Sequence, residues 1–165
     1  MKQARTLPLR QAPLPGEALD SWLEALAQLL RTPLGEVMLS VGLPPRQKAS
    51  NQLHGIPPDW TILLGPQHAA ALSATTGLEE AHLHAMTLRH YDQRGLEINH
   101  ERRFVNRRVL WGRGAGSRFC PDCLAESDGR WMLSWGLGWS FACLRHHRLL
   151  GDCCPGCGRV PRLRP

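Results

Sequence analysis

Four side chains near the end of the chain have the types and the spacing of a metal site. Cys120-Pro-Asp-Cys123 and Cys143-Leu-Arg-His146 each place two ligands two residues apart, with 19 residues between the pairs. That short spacing lets both members of a pair reach one ion at about 2.0–2.3 Å without straining the turn. Three thiolates and one imidazole close a tetrahedron and leave no position for water, so the pattern predicts a structural Zn2+ and not a catalytic one. His147 is a neighbouring candidate, but the two-residue spacing favours His146. Asp122, inside the first pair, reads as solvated. No His-Glu-x-x-His motif occurs and no carboxylate stands out as a base for metal-bound water. A redox Cys120–Cys123 pair would want a βαβ context that is absent.

A third pair, Cys154-Pro-Gly-Cys157, is also a good knuckle. Three readings stay open for it. It is half of a second, incomplete zinc site, or a site shared between two copies in a homodimer, or a site completed locally by Cys153 and His147. The first is preferred.

All six Cys lie between residues 120 and 157, which suits metal in a reducing compartment better than disulfides. The start, MKQARTLPLRQAPLPGE, gathers no apolar core of the signal-peptide kind. The longest uncharged apolar run, Trp131 to Leu144, is too short to span a bilayer. A cytoplasmic protein without a membrane segment is expected.

The elements that must position these ligands follow from periodicity. A Pro-rich leader (1–14) precedes a helical region, 15–99. Leu19, Trp22, Leu23, Leu26, Leu29 and Leu30 recur at helical spacing. Thr32-Pro33 predicts an N-cap and first helical residue for a second helix carrying Leu34, Val37, Met38 and Val41, which Gly42 and Pro44 end. Gly65-Pro66 opens another helix. Thr76 and Glu79 form a candidate capping box for the next. The stretch ALSATTGLEEAHLHAMTL has the rhythm of a helix-turn-helix, a weak signal alone. Between the ligand pairs, Trp131, Trp135 and Trp139 predict a short helix, a Gly turn and a strand into Cys143. The expected fold class is mainly α: a helix-turn-helix domain followed by a small α+β zinc-finger module, 119–165.

Charge is uneven. Residues 1–98 carry 8 Lys+Arg against 9 Asp+Glu, and residues 99–165 carry 12 Arg against 5 acids. In the basic connecting segment, 100–118, Arg102, Arg103, Arg107, Arg108 and Arg113 alternate with Phe104, Val105, Val109, Leu110 and Trp111. Guanidinium groups so anchored suit phosphates, which favours a polyanion as the partner over a stretch whose arginines simply face water. GRGAGS (112–117) lacks the Lys of a P-loop, and no nucleophile–base pair is visible, so an enzyme is not expected.

With these residues assembled, the sequence resembles the TniQ family of transposon target-selection proteins. The resemblance is carried by PLPGEALDSWLEALA, by TGLEEAHLHAMTLRHY, and most specifically by FCPDCLAESDGRW followed by LGWSFACLRHHRLLGDCCPGCG. It implies an adaptor that helps choose an insertion site, by binding DNA or by joining a CRISPR RNA-guided complex, and passes that choice to an AAA+ ATPase transposition regulator. It also implies that Cys120, Cys123, Cys143 and His146 form the first zinc site and Cys154 and Cys157 half of a second. Family members usually continue through a further Cys-x-x-Cys pair, so the chain reads as short or truncated at its C-terminus. The alternative is a zinc-stabilised protein–protein interaction module without nucleic-acid contact.

Overall fold

The computed structural model describes residues 6–43, 58–105 and 116–162. Arg107, Arg108 and Arg113 lie outside them. The described chain is mostly helical. Helices α1 (Leu19–Leu30), α2 (Leu34–Ser40), α3 (Pro58–Ile62), α4 (Pro66–Thr76) and α5 (Glu80–Ala85) come first, then a 3-10 turn at Leu88–Tyr91 and the hairpin β1 (Ile98–Asn99) and β2 (Phe104–Val105). Helix α6 (Pro121–Glu126), a 3-10 turn at Leu133–Gly136 and the hairpin β3 (Ala142–Cys143) and β4 (Arg148–Leu149) follow.

The apolar stripe of α1 is the spine of the larger core. Leu19, Trp22, Leu23 and Leu26 are buried against Val37 and Met38 of α2, Trp60 of α3, Leu72 of α4 and Leu83 of α5. Leu29 is outside this core and 42% exposed. Gly65 and Pro66 open α4 as the sequence predicts, and Gly77 ends it in the left-handed region.

Two expected caps do not form. Thr32 closes α1 instead: its N–H reaches Ala27 O at 3.0 Å and its hydroxyl donates to Leu30 O at 3.0 Å. Pro33 then stands in the cap position of α2 with no side-chain cap. Thr76 is the last residue of α4, and its hydroxyl donates back to Leu72 O at 2.6 Å. The Thr76 oxygen also accepts from Leu78 N at 3.4 Å, but the N-cap position of α5 falls at Glu79, which makes no side-chain cap.

The leader is an ordered strap. Leu7 N donates to Thr75 O of α4 (2.9 Å), and Trp22 Nε1 donates to Gln11 O (2.8 Å). The Arg10 guanidinium covers the turn between α4 and α5, where a Cβ on Gly77 would sit 2.8 Å from Arg10 Nη1.

A second core, made by Phe119, Cys120, Trp135, Cys143 and Leu150, forms around the cysteines. This part docks on α1 through a short antiparallel bridge, Glu17 opposite Met132. Ala18 N donates to Trp131 O and Leu133 N to Gly16 O, both at 2.9 Å. Trp131 and Trp135 meet edge to face at 5.5 Å, whereas Trp139 leaves them for Tyr91, 6.1 Å away, and lies over Gly95. The Trp series therefore splits between the two parts of the fold.

Candidate metal centre

Two small elements bring the four predicted ligands together. Cys120 is the extended residue preceding α6, with Pro121 at the first helical position. Its neighbour Phe119 is fixed by paired backbone hydrogen bonds with Gly151, at 3.0 and 2.7 Å. Helix α6 carries Cys123 back towards Cys120, and Leu124 N donates to Cys120 O at 3.1 Å. Cys143 ends β3, and the turn after it, with His147 at φ 48°, returns His146 to the same point.

The Sγ atoms of Cys120, Cys123 and Cys143 and a ring nitrogen of His146 all lie within 4.8 Å of one another. His146 Nδ1 is 3.4 Å from Cys120 Sγ, 3.3 Å from Cys123 Sγ and 3.5 Å from Cys143 Sγ, and the last two sulfurs are 3.6 Å apart. A tetrahedron with ordinary Zn–S and Zn–N bonds has edges of about 3.8 Å between sulfurs and about 3.6 Å from sulfur to nitrogen. These four edges match within a few tenths of an ångström. The cluster has the size to hold a metal ion.

Nδ1 of His146 faces the sulfurs while Nε2 meets Glu126 Oε1 at 3.1 Å. This carboxylate orients the imidazole and raises its basicity as a ligand. The hydrogen bond to Glu126 also holds the His146 pKa above its ordinary value. Glu126 carries a second partner, Arg145, at 2.7 Å. Asp122 is not merely solvated: Arg148 Nη1 donates to it at 2.7 Å and holds its carboxyl below the usual range.

The thiols divide their protons unevenly. Burial first, then the neighbouring Cys143 and Cys120, pushes Cys123 up to about 12. Burial opposes ionisation of Cys143 as well, but the backbone N–H and ring of His146 outweigh it and bring that thiol down to about 7. Three sulfurs this close resist ionising together until a cation compensates them, so metal uptake releases protons.

Among the described residues no third ligand joins Cys154 and Cys157. Their turn has knuckle-like bonding all the same. Gly158 N donates to Cys154 O at 2.8 Å, and the backbone N–H groups of Cys157 and Gly156 hold the Cys154 thiol below its ordinary pKa.

The arginines of the second half are less available than the sequence suggests. Arg118 pairs with Asp152, Arg130 with Glu17, Arg145 with Glu126, Arg148 with Asp122, and Arg162 with Asp20 and Glu24. The Arg103 guanidinium lies against Gly65 beside His68, while Arg102 is exposed. Sequence reasoning missed Glu126, Glu17 and Arg130; no local pattern marks them.

The TniQ family model matches residues 8–150, most of the 165-residue chain, and that span contains all four clustered ligands. The chain belongs to the TniQ family. A search of curated proteins finds no match. TniQ proteins are non-enzymatic adaptors of target selection in transposition. The TniQ match runs from the strap to Leu150, and Cys154 and Cys157 follow it. Among the described residues of this TniQ chain, no helix is long and apolar enough to cross a membrane.

Proposed function

We propose that this TniQ-family chain is a DNA-binding adaptor in transposition, bridging target DNA or an RNA-guided complex to an AAA+ ATPase transposition regulator. The observation that carries this reading is the family match over residues 8–150 together with the compact Cys3His cluster inside it. Zn2+ is the ion we assign to Cys120, Cys123, Cys143 and His146. Soft thiolates with one imidazole select it, and four protein ligands leave no open position for chemistry. The ion supplies shape: it ties α6 to the β3–β4 hairpin.

The DNA-facing groups we propose are Arg102, Arg107, Arg108 and Arg113 of the basic segment 100–118, with Arg103 at its inner edge. The pair α4–α5 is the candidate helix-turn-helix, with the strap over its turn. Helix α5 spans six residues and begins with exposed Glu79 and Glu80, so its first turn would repel phosphate and a basic neighbour would have to supply the attraction.

One observation favours the alternative of a protein-docking module. Arg118 and four arginines of the zinc part spend their charge on carboxylates of the same chain. A salt titration of DNA binding separates the two readings. For the adaptor, Arg107→Ala/Arg108→Ala lowers affinity on all sequences and reduces the salt slope by about 2, close to 0.9 per phosphate contact. A chain that shows no DNA shift at low salt yet retains the ATPase partner is the docking module.

A further inference from the structure

Cys123, one of the clustered sulfur ligands, begins a continuous hydrogen-bonded path out of the metal centre. Its carbonyl accepts from the Ser127 hydroxyl at 2.7 Å and from Ser127 N at 3.1 Å. Arg130 N donates to the same hydroxyl at 3.1 Å. The Arg130 guanidinium then reaches Glu17 with two bonds of 2.5 Å and Ala12 O with one of 3.2 Å. Glu17 in turn accepts from Leu14 N and from Ser21 Oγ, and Ser21 Oγ accepts from Trp131 N. Two of the strap's anchors, Ala12 O and Leu14 N, therefore hang on one ion pair.

The part of the fold that presents Arg130 has a small core of its own. Two of the five buried members of its core, Cys120 and Cys143, are themselves ligands. A core that small depends on the metal for much of its folding free energy.

We infer that occupancy of the Cys3His site controls whether the strap, residues 6–16, is docked on the helical half. The inference rests on the reading that the cluster binds Zn2+. When the ion leaves, the 127–133 segment loosens, Arg130 withdraws, and the buried Glu17 carboxylate loses its counter-charge. The strap then detaches from Trp22 and from the α4–α5 turn, which Arg10 covers in the docked state. The turn of the candidate helix-turn-helix is thus shielded or exposed according to the metal. Because coupling is reciprocal, Glu17 must also support zinc affinity although it touches no ligand.

Full-length protein gives the test. Zinc affinity is measured by competition with a chromophoric chelator for wild type, Glu17→Gln, Arg130→Met and the double variant. The single changes are expected to weaken zinc tenfold or more, and the double to recover part of that loss because no charge is orphaned. Wild-type affinity in all three variants overturns the coupling while leaving the metal reading intact. A wild-type chain that takes up no zinc overturns both. Hydrogen exchange on the wild type before and after chelation needs no variant. Leu7, Glu17 and Ala18 amides should lose protection while Ala69 in α4 keeps it. Equal protection in the two states, or equal loss at Ala69, overturns the inference.

Discussion

Glu17 and Arg130, 113 residues apart in sequence, meet through two hydrogen bonds of 2.5 Å, and both side chains are buried. The Glu17 carboxylate also takes up Leu14 N and the Ser21 hydroxyl, so all of its obvious acceptor positions are used. A buried pair of this kind repays its desolvation only when such extra bonds complete it.

Removing one partner should therefore be costly. Arg130→Ala leaves the carboxylate buried without a counter-charge and is expected to destabilise the protein by about 3–5 kcal/mol. Chemical denaturation of the zinc-loaded chain measures it. A loss below about 1 kcal/mol, the scale of an exposed pair, means that the two groups are solvated in solution.

The metal centre is tested by stoichiometry and by its outer partner. One zinc per chain is expected, lost in Cys143→Ser. Glu126→Gln keeps the ion but weakens it about 10- to 100-fold, the usual effect of removing a carboxylate behind a histidine ligand. Elemental analysis gives the first result and chelator competition the second. Zinc retained in Cys143→Ser would show that the ion sits elsewhere.

Acid should act on Asp92 as well as on the thiols. Burial raises the Asp92 pKa, but the His100 hydrogen bond at 2.6 Å and the Ile98 N–H outweigh it, so the folded-state value lies below the ordinary one. The resulting stability is present in full above the unfolded pKa of about 3.9 and disappears as pH falls through the lower folded value. Asp92→Asn should flatten the stability profile in that window. Matching acid limbs in the two proteins would show that His100 does not hold the carboxylate.

Two glycines separate backbone strain from crowding. Gly42 and Gly129 both have positive φ, at 80° and 83°. A Cβ on Gly42 would lie 2.6 Å from Ala71 Cβ, which cannot swing aside, whereas a Cβ on Gly129 meets nothing within 4 Å. Gly129→Ala should cost only the left-handed backbone penalty of about 1–2 kcal/mol. Gly42→Ala should cost clearly more, and thermal melts of the two variants side by side decide it.

The ligands and the main apolar helix faces were legible because their signals are local. Two-residue spacing names Cys120, Cys123, Cys143 and His146, and period 3.6 names Leu19, Trp22, Leu23 and Leu26. Caps were harder. Thr32 follows α1 and Thr76 ends α4, and the same hydroxyl can serve either neighbouring helix; here each donates to the helix behind it. The arginines were harder still. Arg118, Arg145, Arg148 and Arg162 look like a basic surface in one dimension, and their neutralising carboxylates are brought close only by the fold. Glu17 gave no hint at all, since nothing near it in sequence announces a buried role.

The bridge that seats Glu17 beside Met132 also sets an order of events on the ribosome. At about 5–20 residues per second, roughly 6 to 23 seconds separate the synthesis of Glu17 from that of Arg130. Throughout that interval α1 already has its leucines to offer the helical core, but Glu17, just ahead of its N-cap, has no cation to meet. The nascent chain can build its first half early and must finish it last.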